Sequence, residues 1–139
     1  MLGRKDYTEE ELEHGRAAVK QQLALFEKVV PAGDAAGPAR DDFEVMFFNS
    51  MTLVLDRYYV HRIRAVAGKD TNPLNEVELI TESLMSNGGI FQTNKVIKYV
   101  PENSVVKLHD GDPIRLTAKD FDRLSTAFFA ELAERFGES

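Results

Sequence analysis

The chain of 139 residues contains no cysteine, which excludes disulfides, thiolate metal sites and cysteine nucleophiles. Long hydrophobic runs are missing too. The longest uncharged apolar-rich stretch, VMFFNSMTLVL from Val45 to Leu55, has eleven residues, well short of the roughly 20 that span a bilayer as a helix. The opening residues MLGRKDYTEEELEHG lack the apolar core of a secretory signal. Positive charge is in the minority, with 17 Lys and Arg against 23 Asp and Glu for a formal net charge of -6. Nucleic-acid binding, which depends on neutralising phosphates, is therefore not expected. GxGxxG after a strand, GxxxxGKS/T, GxSxG and HExxH do not occur, which removes the common nucleotide-binding and hydrolase signatures. These absences lead to the expectation of a cytoplasmic protein without membrane association, metal or cofactor.

What is present describes an ordinary globular chain. A hydrophobic fraction of 43% beside a charged fraction of 29%, at this length, suits one domain over residues 1–139 with a single core. Thr8 followed by Glu11 is a capping-box pattern. From it Leu12, Val19, Leu23, Phe26 and Val30 recur at helical spacing until Pro31. The stretch PAGDAAGPARD, residues 31–41, is small and turn-rich and reads as a connection.

A second helix is predicted from near Asp41 to Ala67, stopped by Gly68, roughly 40 Å long at 1.5 Å per residue. Sixteen of the 26 residues from Asp42 to Ala67 are apolar, and they lie around the whole circumference. Such a helix belongs at the centre of a bundle or at a subunit interface. A third helix starts with Asn72 as N-cap and Pro73 at its first position, carries Leu74, Val77, Ile80 and Leu84 inward, and ends at Asn87-Gly88-Gly89. Residues 90–116 change character: IFQTNKVIKYV, SVVKLH and PIRL are short, β-branched and alternating, with turns between, and predict two or three antiparallel strands. A last helix begins at Thr117, with Asp120 three residues on, Phe121, Leu124, Phe128, Leu132 and Phe136 as its stripe and Gly137 at its end. The fold class is mainly α, a four-helix bundle-like domain with a small antiparallel β-hairpin or meander inserted before the last helix.

One row of polar residues stands out inside the apolar second helix. Arg57, His61 and Arg64 follow at i, i+4 and i+7, with Ser50 seven residues before Arg57, so a continuous helix would align them on one face. Two guanidiniums and an imidazole suit a carboxylate or phosphate, the arginines by paired hydrogen bonds. His61 could exchange a proton near neutral pH, and Tyr58 and Tyr59 would line such a pocket. The competing reading is structural: Glu78 and Glu82, i and i+4 on the third helix, would pair with the row and saturate it.

An Arg and a His together on one helix also resemble the HEPN ribonucleases, which are helical bundles. RYYVH leaves only three residues between Arg57 and His61, a tighter spacing than that family's, and the acidic balance runs against RNA. The likeness is set down to chance and defines one rival, RNA cleavage through His61. A second polar ridge, Asn49, Thr52 and Asp56, reads as structural. HDGD, His109 to Asp112, reads as a turn because calcium-loop spacing is lacking.

The leading expectation is a small helical binding protein without catalysis, acting as a homodimer that buries the surplus apolar surface of the second helix and of the Phe128-Phe129 side of the last. The alternative is a small-molecule enzyme or anion-binding sensor that holds a small anionic ligand on the Arg57, His61, Arg64 row.

Overall fold

The structure, a computed structural model, describes residues 3–29 and 37–137. Within them five α-helices follow in order: α1 Glu9–Val29, α2 Gly37–Tyr58, α3 Arg64–Ala67, α4 Pro73–Ser86 and α5 Ala118–Phe136, with a 3-10 turn at Pro101–Asn103. The predicted stop at Pro31, and most of the 31–41 connection, lie outside the described residues. No described helix is long and apolar enough to cross a membrane.

Local chemistry sets the helix starts. At α1 the Glu11 N–H donates to Thr8 Oγ1 at 3.1 Å, and the Thr8 N–H donates to Glu11 Oε1 at 3.0 Å, closing the capping box. The same reciprocal pair joins Thr117 and Asp120 at α5, at 3.1 and 3.2 Å. Asn72 caps α4 by accepting from the Asn75 N–H at 3.1 Å, and Pro73 sits in the first turn, where a missing N–H leaves no bond unmade.

α2 packs on α1, α4 and α5, and α5 touches all four of the other helices. Phe48, Met51 and Leu55 point inward from α2, and Tyr59 from just beyond its end, to meet Phe26 of α1, Leu74, Val77 and Ile80 of α4, and the Phe121 to Phe136 stripe of α5. α1 approaches closely because residue 15 is glycine. A Cβ there would lie 1.9 Å from the Tyr59 hydroxyl oxygen. That hydroxyl donates to the Leu12 carbonyl at 2.9 Å, and burial pushes its pKa up to about 12, so it keeps its proton at any physiological pH.

Two expectations are overturned. The second helix ends at Tyr58, not Ala67, and the chain turns back through His61, whose φ of 68° is left-handed. Tyr, Val, His and Ile, which fill residues 58–63 apart from Arg62, are weak helix formers. Stronger partners also take the backbone groups that a continuing helix would use. The Tyr7 hydroxyl donates to the carbonyls of Tyr59 and Val60 at 2.9 and 3.1 Å. The Arg62 guanidinium donates to the Tyr59 carbonyl at 2.9 Å. Residues 4 and 62 form a parallel bridge, with the Ile63 N–H on the Arg4 carbonyl at 2.9 Å. The N-terminal segment thus straps the reversal in place.

The β insertion is the second. Among the described residues no β-strand forms, and residues 90–116 contribute a single antiparallel bridge, Ile90 with Pro113. Side-chain oxygens satisfy the backbone where a ladder would have done so. Asn94 accepts from the N–H groups of Val96 and Ile97, Ser104 from Lys107, Asp112 from His109, and Asp110 from Thr93, at 2.8–3.0 Å. Part of the apolar pattern is still buried, as Phe91, Ile97, Ile114 and Leu116 join the core, while Ile90, Val96 and Val100 stay exposed.

The anchor of this segment is Glu76 on α4, only 1% exposed. Its two carboxylate oxygens accept from the N–H groups of Val105 and Val106 at 2.8 and 2.9 Å. Burial raises its pKa above the ordinary carboxylate value, against the pull of those two bonds and of Arg123 and Lys107.

Candidate functional site

The early end of α2 breaks up the basic row. Arg57 occupies the last turn of α2 and is exposed, His61 is exposed in the left-handed turn, and Arg64 opens α3. The three side chains share no helical face. The arrangement behind the HEPN likeness, an Arg and a His on one helix, is absent as well, because His61 lies outside any helix.

His61 and Arg64 still border one hollow, with Asp56, Val60, Arg62 and Glu78, while Arg57 lines a different one. Arg64 is committed: Nη1 donates to the Gly68 carbonyl at 2.9 Å and to Asn75 Oδ1 at 2.8 Å, and Nη2 donates to Glu78 Oε2 at 2.5 Å. Asn75 in turn donates to the carbonyls of Gly68 and Asp70, so Arg64 clasps the turn between α3 and α4. Glu82, the other expected partner, is exposed and accepts only from Asn94 at 3.4 Å. Arg57 has no ion-pair partner among the described residues. Arg64→Ala should therefore lower stability by about 1–3 kcal/mol, the loss of charged hydrogen bonds. Arg57→Ala removes no ion pair within the described residues and should cost the monomer fold little, and parallel melts of the two variants, run dilute enough that both are monomeric, check the contrast.

The buried cation of the segment is one that periodicity passed over. Arg62, its side chain 5% exposed, donates from Nη2 to Asp56 Oδ1 at 2.8 Å and lies over the Phe128 ring, 5.3 Å from its centroid. Asp56 belongs to the second polar ridge, and that ridge proves to be tied inward throughout. Asn49 donates to the Ile114 carbonyl and accepts from the Leu116 N–H, and Thr52 donates to the Phe48 carbonyl. His109 to Asp112 form a turn around Gly111, which has φ 94°.

The outer side of α2 holds what these networks leave over. Met46 is 71% exposed, Phe43 51%, Tyr58 38% and Val54 36%, and Phe47 and Leu53 are half-buried beside them. At 3.6 residues per turn, positions 43, 46, 50, 53, 54 and 57 follow one ridge. α1 borders its flank, with Phe26 against Phe43 and Phe47 and His14 against Tyr58. Near the C-terminal end, Leu53, Val54, Arg57 and Tyr58 line an apolar hollow of about 270 Å³. By contrast, the surplus expected on α5 is not there: Phe128 and Phe129 are both buried, packed on Tyr59. The sign of the ridge in the sequence was the apolar character of the second helix all round, which no intramolecular core could cover.

Comparison with family models, with curated proteins and with solved structures gives no match.

Proposed function

We propose that this chain is an acidic, cytoplasmic binding protein without catalysis of its own, working as a homodimer joined through the outer ridge of α2. The observation that carries the reading is the row of large apolar side chains, Phe43, Met46, Val54 and Tyr58, exposed on one face of α2. Water-exposed apolar rows of this length mark interaction surfaces, and a symmetric contact between two copies is the commonest way to cover one. The alternative, an anion sensor or small-molecule enzyme on Arg57, His61 and Arg64, draws less support. Arg64 already gives its guanidinium to Glu78, Asn75 and Gly68, and a saturated cation has little left for a ligand.

Met46→Glu tests the reading. The side chain touches little of its own fold, so a carboxylate there should leave helical circular dichroism and the monomer fold intact. Placed in an interface it should raise the dimer dissociation constant at least about 30-fold, the ~2 kcal/mol of a hot-spot side chain. Sedimentation velocity of the variant beside the parent reads this directly. A variant that associates as tightly as the parent overturns the proposal.

A further inference from the structure

We infer that the two copies pair α2 with α2 in antiparallel fashion, about a two-fold axis at Ser50. The inference rests on the reading of the ridge as a self-association surface and adds its register. An antiparallel two-fold at residue 50 sets position 50 − n of one copy opposite position 50 + n of the other. Met46 then faces Val54 of the partner subunit, and Phe43 faces Arg57 of the partner subunit. The ridge is built for that exchange. Its two most exposed large apolar side chains, Phe43 and Met46, project from the N-terminal half, while the hollow lined by Leu53, Val54, Arg57 and Tyr58 lies in the C-terminal half. Each copy therefore fills the hollow of the other, the self-complementary contact that a two-fold requires.

Charge selects the same direction. Asp42 stands at the N-terminal end of the ridge, its pairing with Arg115 at 3.5 Å leaving both side chains largely exposed. Arg57 stands at the other end without a partner among the described residues. Antiparallel packing brings Arg57 of each copy to the Phe43 ring and the Asp42 carboxylate of the other, joining an ion pair to a cation–π contact. Parallel packing would set Arg57 against its own copy, Asp42 against its own copy, and leave both hollows empty. The small, exposed Ser50 lets the helices approach at the axis. At an interaxial distance of about 9 Å, the middle of the usual range, with Cα atoms roughly 2.3 Å from each axis, facing Cα atoms stand about 4–5 Å apart.

The lack of native cysteine makes disulfide mapping clean. Cα atoms bridged by a disulfide lie about 4.4–6.8 Å apart, so Ser50→Cys should give a covalent dimer on mild oxidation. Met46→Cys and Val54→Cys chains, co-expressed, should link to each other, and neither should link to itself. In the antiparallel register each of these positions stands about 12 Å along the axis from its own copy, at 1.5 Å per residue over eight residues. Non-reducing gels with mass spectrometry of the linked peptides read the products, and sedimentation of the unoxidised parent is run alongside. Self-linked Met46→Cys without the mixed product would establish parallel pairing and overturn the register while leaving the dimer standing. A dimeric parent with no specific product places the interface elsewhere and overturns both register and ridge. A monomeric parent overturns the self-association reading itself.

Discussion

Arg62→Ala should lower the stability of the fold by about 3–5 kcal/mol, the cost of breaking a buried ion pair by removing one partner. The substitution removes more than a charge. Asp56 loses the guanidinium held at 2.8 Å, the Tyr59 carbonyl loses one of its two donors, and Phe128 loses the cation over its ring. Those contacts hold the chain reversal after α2, where His61 takes a left-handed φ of 68°, a conformation that persists only where the surroundings impose it. The Tyr7 hydroxyl remains on Tyr59 and Val60, so the reversal should loosen without refolding into a longer helix. Urea melts of Arg62→Ala, Asp56→Leu and the Asp56→Leu, Arg62→Met double variant check this. The double variant should lose less than Arg62→Ala alone, because no unpaired charge is left behind. Equal losses for Arg62→Ala and Arg57→Ala would contradict the assignment.

Glu76→Ala should cost about 2–6 kcal/mol, since the N–H groups of Val105 and Val106 each lose their acceptor at roughly 1–3 kcal/mol apiece. Glu76→Gln should recover only part of the loss, for the amide oxygen can accept from one N–H while its NH₂ faces the other donor. The pH dependence follows from the direction of the pKa. Burial raises the folded carboxyl above its unfolded value, so between those two values the folded chain holds the proton that the unfolded chain has released. The contribution of Glu76 is then fullest below the ordinary carboxylate pKa and declines as pH rises through the folded value. The stability advantage of the parent over Glu76→Gln should accordingly be larger at acid pH than at neutrality. An advantage that grows from acid to neutral pH would mean that the carboxylate is favoured by its two N–H donors more than it is penalised by burial.

The helices with strong terminal chemistry were legible from residues alone. Thr8 with Glu11, Asn72 with Pro73, and Thr117 with Asp120 each act locally, and the caps form as the pattern implies. What sequence spacing could not supply was competition from residues distant in the chain. From Asp41 onward no Gly or Pro precedes Gly68, and the end of the second helix is set by Tyr7 and Arg4 from some 50 residues away. The β-branched segment at 90–116 alternates as strands do and buries Phe91, Ile97, Ile114 and Leu116 while leaving Ile90, Val96 and Val100 exposed. Its backbone is claimed instead by Glu76, Asn49, Asn94 and Ser104. Of the candidate site, the pairing of Arg64 with Glu78 was foreseen as the structural option. The buried role of Arg62 was hidden because a continuous helix would have turned it away from the row. The apolar excess of the second helix did carry through, as the exposed ridge on α2, whereas that expected on the last helix disappeared into the core.

The central claim is that this ridge is covered by a second copy, and the mass of the unaltered chain in solution tests it most directly. Sedimentation equilibrium or light scattering over a micromolar concentration series should give a species of about twice the 15.6 kDa monomer mass, dissociating on dilution as a two-state dimer does. A single monomeric mass throughout that range would contradict the account.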